Sequence, residues 1–126
     1  MTRDARQPAG GAAPTAPYSP AVVSGDLVWT AGQVALADGV IVSGGVDVQT
    51  RQALVNVAAC LDAAGSSMDD VVKVTVFLAD LGDFDAFNEE YRRHFAAPYP
   101  ARTTVGAALP AGLLVEIDAV ARRVPR

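Results

Sequence analysis

The stretch 99–123, "YPARTTVGAALPAGLLVEIDAVARR", decides how this chain is read, because its apolar residues alternate in two runs that meet at "LPAG". Val105, Ala107 and Leu109 hold one parity, and Leu113, Val115, Ile117, Ala119 and Ala121 continue it. Such alternation is the signature of two half-buried strands. Pro110-Ala111-Gly112 serves as a three-residue hairpin connection carrying a glycine, which sets Leu109 opposite Leu113. Gly106 then faces Glu116, Thr104 faces Asp118 and Arg102 faces Val120. A loop of two or four residues would set the apolar parity of one strand on the polar face of the other. On this register Arg102 and Glu116 share a face, roughly 13 Å apart along the strands. Gly106 fills little of the space between, leaving a small polar recess with a cation at one end and a carboxylate at the other. Periodicity by itself favours a plainer reading, in which Arg102, Glu116 and Asp118 form a solvated outer face.

Composition bounds what such a recess could do. The chain has 126 residues, 51% of them apolar and 19% charged, which fits one globular domain with a real core. No apolar run reaches the length of a membrane span, and the start lacks the apolar segment of a secretory signal, so a cytoplasmic address is the default. One cysteine, Cys60, excludes an intrachain disulfide, and with a single histidine, His94, the usual zinc and iron ligand sets cannot be assembled. The net charge of −4 disfavours a general grip on nucleic acid.

Residues 1–16, rich in Gly, Ala, Pro and Thr and without periodicity, read as a flexible arm ahead of a single domain over 17–126. "AVVS" and "LVWTAG" are short strands hinged at Gly25–Asp26, and Asp38–Gly39 marks a turn before a third strand over 40–42. Leu54, Val57, Ala58 and Leu61 then recur at helical spacing, with Asp47 as an N-cap candidate and Gly65 as the stop. "VVKVTVFLAD" is a β-branched strand with Val72, Val74, Val76 and Leu78 on one face. A second helix over 84–95, capped by Asp83, carries the stripe Phe84, Phe87, Tyr91 and Phe95. The order β-β-β-α-β-α-β-β predicts an α+β fold, two helices packed on one face of a mostly antiparallel sheet. Thr30, Val71 and Phe77 fall on the parity opposite their strands' apparent core residues, so the other face is not cleanly polar and an oligomer that buries it is expected.

Taken together and in this order, "APYSPAVVSGDLVWTAGQ", "QTRQALVNVAACLDAAGSSMDDVVKVTVFLAD", "FNEEYRRHF", "PARTTV" and "LLVEIDAVA" resemble the RidA (YjgF-like) family of reactive-intermediate deaminases, from about Pro17 to Arg123. The resemblance implies a chorismate-mutase-like fold assembled as a homotrimer with sites between subunits. It also implies cofactor-independent hydrolysis of 2-imino acids, in exchange with 2-enamino acids, to 2-keto acids and ammonia. Residue by residue, Arg102 in "PAR" matches the arginine that holds the substrate carboxylate, and Glu116 in "VEIDAV" the glutamate that positions water. Tyr18 in "PYS" matches a pocket tyrosine, Gly32 in "AGQ" a close main-chain approach, and Asn88 in "FNEEY" the pocket asparagine. Thr104 stands where many members have cysteine and would offer its main-chain N–H.

Plainer roles stand beside each of these. Tyr18 would serve as an interface wall, Gly32 as a strand end, and Asn88 as a hydrogen-bonded amide within the apolar stripe of its helix. Lys73, the only lysine, reads as structural rather than as a Schiff-base nucleophile, and Arg92–Arg93 beside Glu89–Glu90 as a solvated helix face. Two further functional readings remain at this level. One is a diverged member acting on another small acid, a carbamate or an aminoacrylate derivative; the other is a non-catalytic trimer that binds a small molecule. Ribonuclease activity, also attributed to the family, is the least favoured on an acidic chain without a basic, aromatic-lined stripe.

Overall fold

A computed structural model describes residues 3–124 of the chain. Residues 1–2 of the expected arm and 125–126 of the expected domain lie outside the described residues. Ten elements follow in order: β1 (Asp4–Arg6), β2 (Ala21–Ser24), β3 (Leu27–Thr30), β4 (Leu36–Ala37), β5 (Val40–Ile41), α1 (Val46–Ala63), β6 (Val71–Leu78), α2 (Phe84–Tyr91), β7 (Ala101–Gly106) and β8 (Val115–Arg122). Six strands form one sheet in the order β1-β2-β3-β8-β6-β7, and β4 pairs with β5 separately. Every pairing is antiparallel except β6 with β7. The α+β architecture expected from the sequence, two helices on a mostly antiparallel sheet, is therefore the one the chain adopts.

The hairpin expected at "LPAG" does not form. β6 lies between β7 and β8, parallel to the first and antiparallel to the second. A parallel pair cannot be closed by a tight turn; it needs a crossover, and the segment carrying α2 supplies one from β6 to β7. Residues 107–114 then carry the chain past β6 to β8. Gln49 on α1 pins this connection, donating from Nε2 to the Gly112 carbonyl at 2.8 Å and accepting at Oε1 from the Leu114 N–H at 2.8 Å.

The helices form where the apolar spacing places them; Asp83 is the N-cap of α2, without a side-chain cap bond, and only the N-cap of α1 differs from expectation. Gly45, not Asp47, is the N-cap of α1, and Asp47 lies in its first turn. Gly65, at φ +77°, closes it: its N–H bonds the Asp62 carbonyl and that of Ser66 bonds Leu61. That pair of bonds is the Schellman arrangement, in which the left-handed residue favours glycine. α2 stops at Tyr91, four residues before the expected end, and continues as a tighter turn held by Arg93 N–H to Glu90 O and His94 N–H to Tyr91 O. Asp38 and Gly39, both at positive φ, make the two-residue turn between β4 and β5.

Ala53, Leu54, Val57, Cys60 and Leu61 of α1 and Phe87 of α2 pack on Val28, Val74, Val76, Leu78, Val115 and Ile117 of the sheet, all buried. Each such large apolar side chain contributes about 1.5–3 kcal/mol. Burial pushes the Cys60 thiol up to about 11, as suits an inert core residue.

Three expectations about the sheet change. A register shift between Val71 and Lys73 flips the strand's parity, so Val71 enters the core and Val72 is exposed. Thr30 pairs with buried Ala21 and shares its side of the sheet. Of the three residues expected on the outer face, Phe77 alone points there, and Trp29 joins it, 48% exposed. The segment expected to be a flexible arm carries β1, whose Arg6 also reaches the Ala63 carbonyl.

Candidate active site

Arg102 sits on β7, the edge strand, in register with Val74 of β6, and so faces the helices. There α2 presents Phe84, Phe87 and Tyr91 at three- and four-residue spacing, one face of a helix. The Arg102 guanidinium lies 4.7 Å from the centroid of the Tyr91 ring, 5.2 Å from Phe87 and 5.8 Å from Phe84. The stripe that reads in sequence as helix core is thus also a seat for a cation, which aromatic faces attract. Beside it opens a recess of about 400 Å³ lined by Asn88, Tyr91, Arg92, Tyr99, Pro100 and Arg102. Two guanidinium groups and no carboxylate line it, so it favours an anion. Among the described residues Arg102 makes no ion pair. Thr104, two residues along β7, shares the Arg102 side of the strand, and its Oγ1 is buried without a hydrogen-bond partner.

Glu116 occupies the opposite face. It pairs with Phe77 across β8 and β6, on the parity that alternates with the buried Val115 and Ile117. The loop after β3 crosses it closely, fixed by reciprocal bonds between Gln33 and Ile117 (Gln33 N–H to Ile117 O 2.8 Å, Ile117 N–H to Gln33 O 2.9 Å). A Cβ at Gly32 would lie 2.5 Å from Glu116 Oε2. Only a glycine leaves that carboxylate its place. Lys73, Thr75, Thr103 and Asp118 surround the same outer surface: Lys73 Nζ donates to Thr103 Oγ1 at 2.6 Å. Burial raises the Asp118 carboxyl above its ordinary value, opposed by a hydrogen bond with Thr75 and the charge of Lys73.

The six residues singled out in the sequence therefore divide. Arg102, Asn88 and Thr104 lie on the helix side of the sheet, and Glu116 with Gly32 on the other. The expectation that Arg102 and Glu116 share a face is overturned, because the parity argument assumed that β7 and β8 were neighbours. In register, Glu116 meets Phe77 and then Val105, three residues and two strands from Arg102, about 14 Å across the sheet. Tyr18, 57% exposed, stands ahead of β2 and lines neither half.

Sequence reasoning missed the part played by Tyr91, Tyr99 and Arg92 as walls of the recess. It also took Glu90 for a solvated residue, whereas Glu90 is buried and receives Arg51 from α1 at 3.0 Å, Arg93 at 3.1 Å and His94 at 2.8 Å. Burial pushes the Glu90 carboxyl up, but the hydrogen bonds from Arg51 and His94 outweigh it and hold it below its ordinary value. The spacing Glu90, Arg93, His94 carried half of that signal; Arg51 carried the rest.

Two helices on one side of a mostly antiparallel sheet, with an arginine on aromatic rings at its edge and a carboxylate under a close glycine, define a small α+β protein. The chain belongs to the YjgF/RidA family: residues 10–123 match the family model described as Endoribonuclease L-PSP. A RutC family protein of Pyrococcus horikoshii is 45% identical over 111 residues, 86% of this chain and 88% of that one. The human 2-iminobutanoate/2-iminopropanoate deaminase is 44% identical over 112 residues, 86% of this chain and 82% of its own. The crystal structure of RidA from an Antarctic Psychrobacter superposes with a TM-score of 0.86 at 37% identity, covering 95% of this chain and 99% of that one.

Proposed function

We propose that the protein is a 2-imino acid deaminase, hydrolysing reactive imines and their enamine tautomers to 2-keto acids and ammonia without a cofactor. The observation that carries this reading is the unpaired Arg102 guanidinium, seated on three aromatic rings beside a recess with no acid of its own. A guanidinium so held is preorganised for bidentate pairing with a carboxylate. The relatives named as iminobutanoate/iminopropanoate deaminases supply the substrate class.

In this mechanism Arg102 and the main-chain N–H of Thr104 anchor the carboxylate, Asn88 helps enclose the substrate, and Tyr18, which lines neither half within one chain, would do so from a neighbouring copy. Glu116, beside Gly32, takes a proton from water as the water oxygen adds to C2 of the protonated imine. The resulting carbinolamine collapses to the keto acid: Glu116 returns its proton to nitrogen, the C2–N bond breaks as ammonia leaves, and the C2 hydroxyl becomes the carbonyl by giving its proton to Glu116, which passes it to solvent or to the departing ammonia. Imines hydrolyse readily in water, so orientation and charge matching account for most of the acceleration required.

One chain holds these groups on opposite faces of its sheet, so a small acid cannot touch both within it. A second copy bringing its own Glu116 face against the Arg102 edge completes the site, and the uncovered Trp29 and Phe77 give that contact an apolar centre. A homotrimer with three inter-subunit sites follows from the family resemblance. Work in the cytoplasm is part of the same reading; no helix among the described residues is long and apolar enough to cross a membrane.

The test generates 2-iminopropionate with an amino-acid oxidase and traps what survives with semicarbazide. Wild-type protein should suppress semicarbazone formation and Arg102→Ala should not. An absence of suppression by wild type refutes the deaminase reading; equal suppression by Arg102→Ala refutes the site.

A further inference from the structure

The proton of the Tyr91 hydroxyl has no acceptor among the described residues; the Arg102 guanidinium beside it can only donate. The residue is 4% exposed and its Oη is buried. Its ring is clamped between Phe87, with centroids 5.4 Å apart, and Phe95, at 4.8 Å, so the hydroxyl cannot swing out to water. The same ring carries the Arg102 guanidinium at 4.7 Å and forms a wall of the recess. A buried, unsatisfied hydroxyl costs stability unless something supplies an acceptor.

We propose that the Tyr91 hydroxyl is a substrate-binding donor, giving a hydrogen bond to the carboxylate that Arg102 holds. The inference rests on the reading of the recess as an acid site. Arg102 then supplies two parallel N–H donors and Tyr91 a third from the side, which fixes the plane of the carboxylate as well as its position. Burial pushes the phenol up to about 12, with the charge of Arg102 and a hydrogen bond from its guanidinium opposing, so Tyr91 keeps its proton and can donate it throughout the neutral range. A neutral donor of this kind adds an O–H···O⁻ bond without adding a second charge to be desolvated when the site is empty. Removing it should strip affinity from any small 2-oxo or 2-imino acid, whatever its side chain.

Tyr91→Phe isolates the hydroxyl, because phenylalanine keeps the ring on which Arg102 rests. The expected result is a KM for 2-iminopropionate at least tenfold higher, with kcat within about threefold of wild type. The competitive inhibition constant for pyruvate should rise in parallel. Tm should stay within about 4 °C of wild type, since the chain loses at most the hydrogen bond from Arg102, and the oligomer should be unchanged. KM and pyruvate inhibition within twofold of wild type overturn the proposal. So does loss of the oligomer, which would assign the hydroxyl to a subunit contact. Pyruvate binding by calorimetry separates this from the deaminase reading. If wild type binds pyruvate and Tyr91→Phe weakens it without any turnover by wild type, the donor stands and the deaminase reading falls. If wild type neither binds pyruvate nor turns over, the donor falls with it.

Discussion

Substituting Gly32 by alanine perturbs the candidate site through one contact. The three atoms nearest the added Cβ all belong to Glu116, 2.5 Å from Oε2, 2.8 Å from Cδ and 2.9 Å from Cγ, against an ordinary contact of 3.4 Å or more. The carboxylate must therefore retreat by about 1 Å, which a flexible glutamate does by leaving its preferred rotamer at a cost of about 0.5–1.5 kcal/mol. Stability should fall by no more than that, roughly 2–7 °C in Tm for a domain of this size. A displacement of about 1 Å at a catalytic group costs on the order of 100-fold in rate, equivalent to about 2.7 kcal/mol of barrier. The assay is the semicarbazide competition run at saturating imine, so that kcat is read rather than binding, with thermal melts on the same preparations. Because the effect passes through Glu116, Gly32→Ala should lower Tm almost not at all in a Glu116→Ala background. A kcat within threefold of wild type, or an equal loss of Tm in the Glu116→Ala background, refutes the reasoning.

Glu90→Gln should loosen α1 from α2 and lower stability by about 1–3 kcal/mol at neutral pH, since a buried carboxylate loses its charge-assisted bonds. The folded carboxyl titrates below its ordinary value, so its contribution is complete above the unfolded value and disappears as pH falls through the folded one. Melts of wild type and variant should accordingly differ at pH 7 and converge as the pH falls through the folded value; a gap that persists once the carboxyl is protonated contradicts the assignment. Trp29→Glu places a charge at the centre of the uncovered sheet face and should yield monomers by light scattering, with activity lost although the fold remains by circular dichroism. An intact oligomer would remove that face from the subunit contact.

Much of the fold was legible because its signals are local. Two helices follow from three- and four-residue spacing, Gly65 ends the first as its conformation requires, and Asp38–Gly39 turns the small hairpin. What parity could not reveal was adjacency. The alternation of Val105 to Ala121 is real, yet residues from a different part of the chain, 71–78, insert between its two strands, and no loop-length rule registers an inserted strand. The shift at Val71–Lys73 likewise leaves no local mark in a run of β-branched residues, and a three-residue strand such as β1 is too short to show a period. Family resemblance singled out Arg102, Glu116, Tyr18, Gly32, Asn88 and Thr104; the structure seats Arg102 on aromatic rings, puts Asn88 in the wall of the recess and Gly32 close to Glu116, and leaves Tyr18 apart from both. Tyr91 escaped notice because an aromatic at helical spacing reads as core, and it is core; only its hydroxyl is out of place there.

The central claim is that Arg102 of one copy works with Glu116 of another. Arg102→Ala and Glu116→Ala, each inactive alone, can be mixed under conditions that exchange subunits and then assayed for imine hydrolysis. In a cyclic oligomer formed at random from equal parts, about one site in four pairs an intact arginine with an intact glutamate from its neighbour. Recovery of about a quarter of wild-type activity is the predicted result. If the mixture stays as inactive as its components after exchange is shown by mass, the site does not cross between subunits and the account is contradicted.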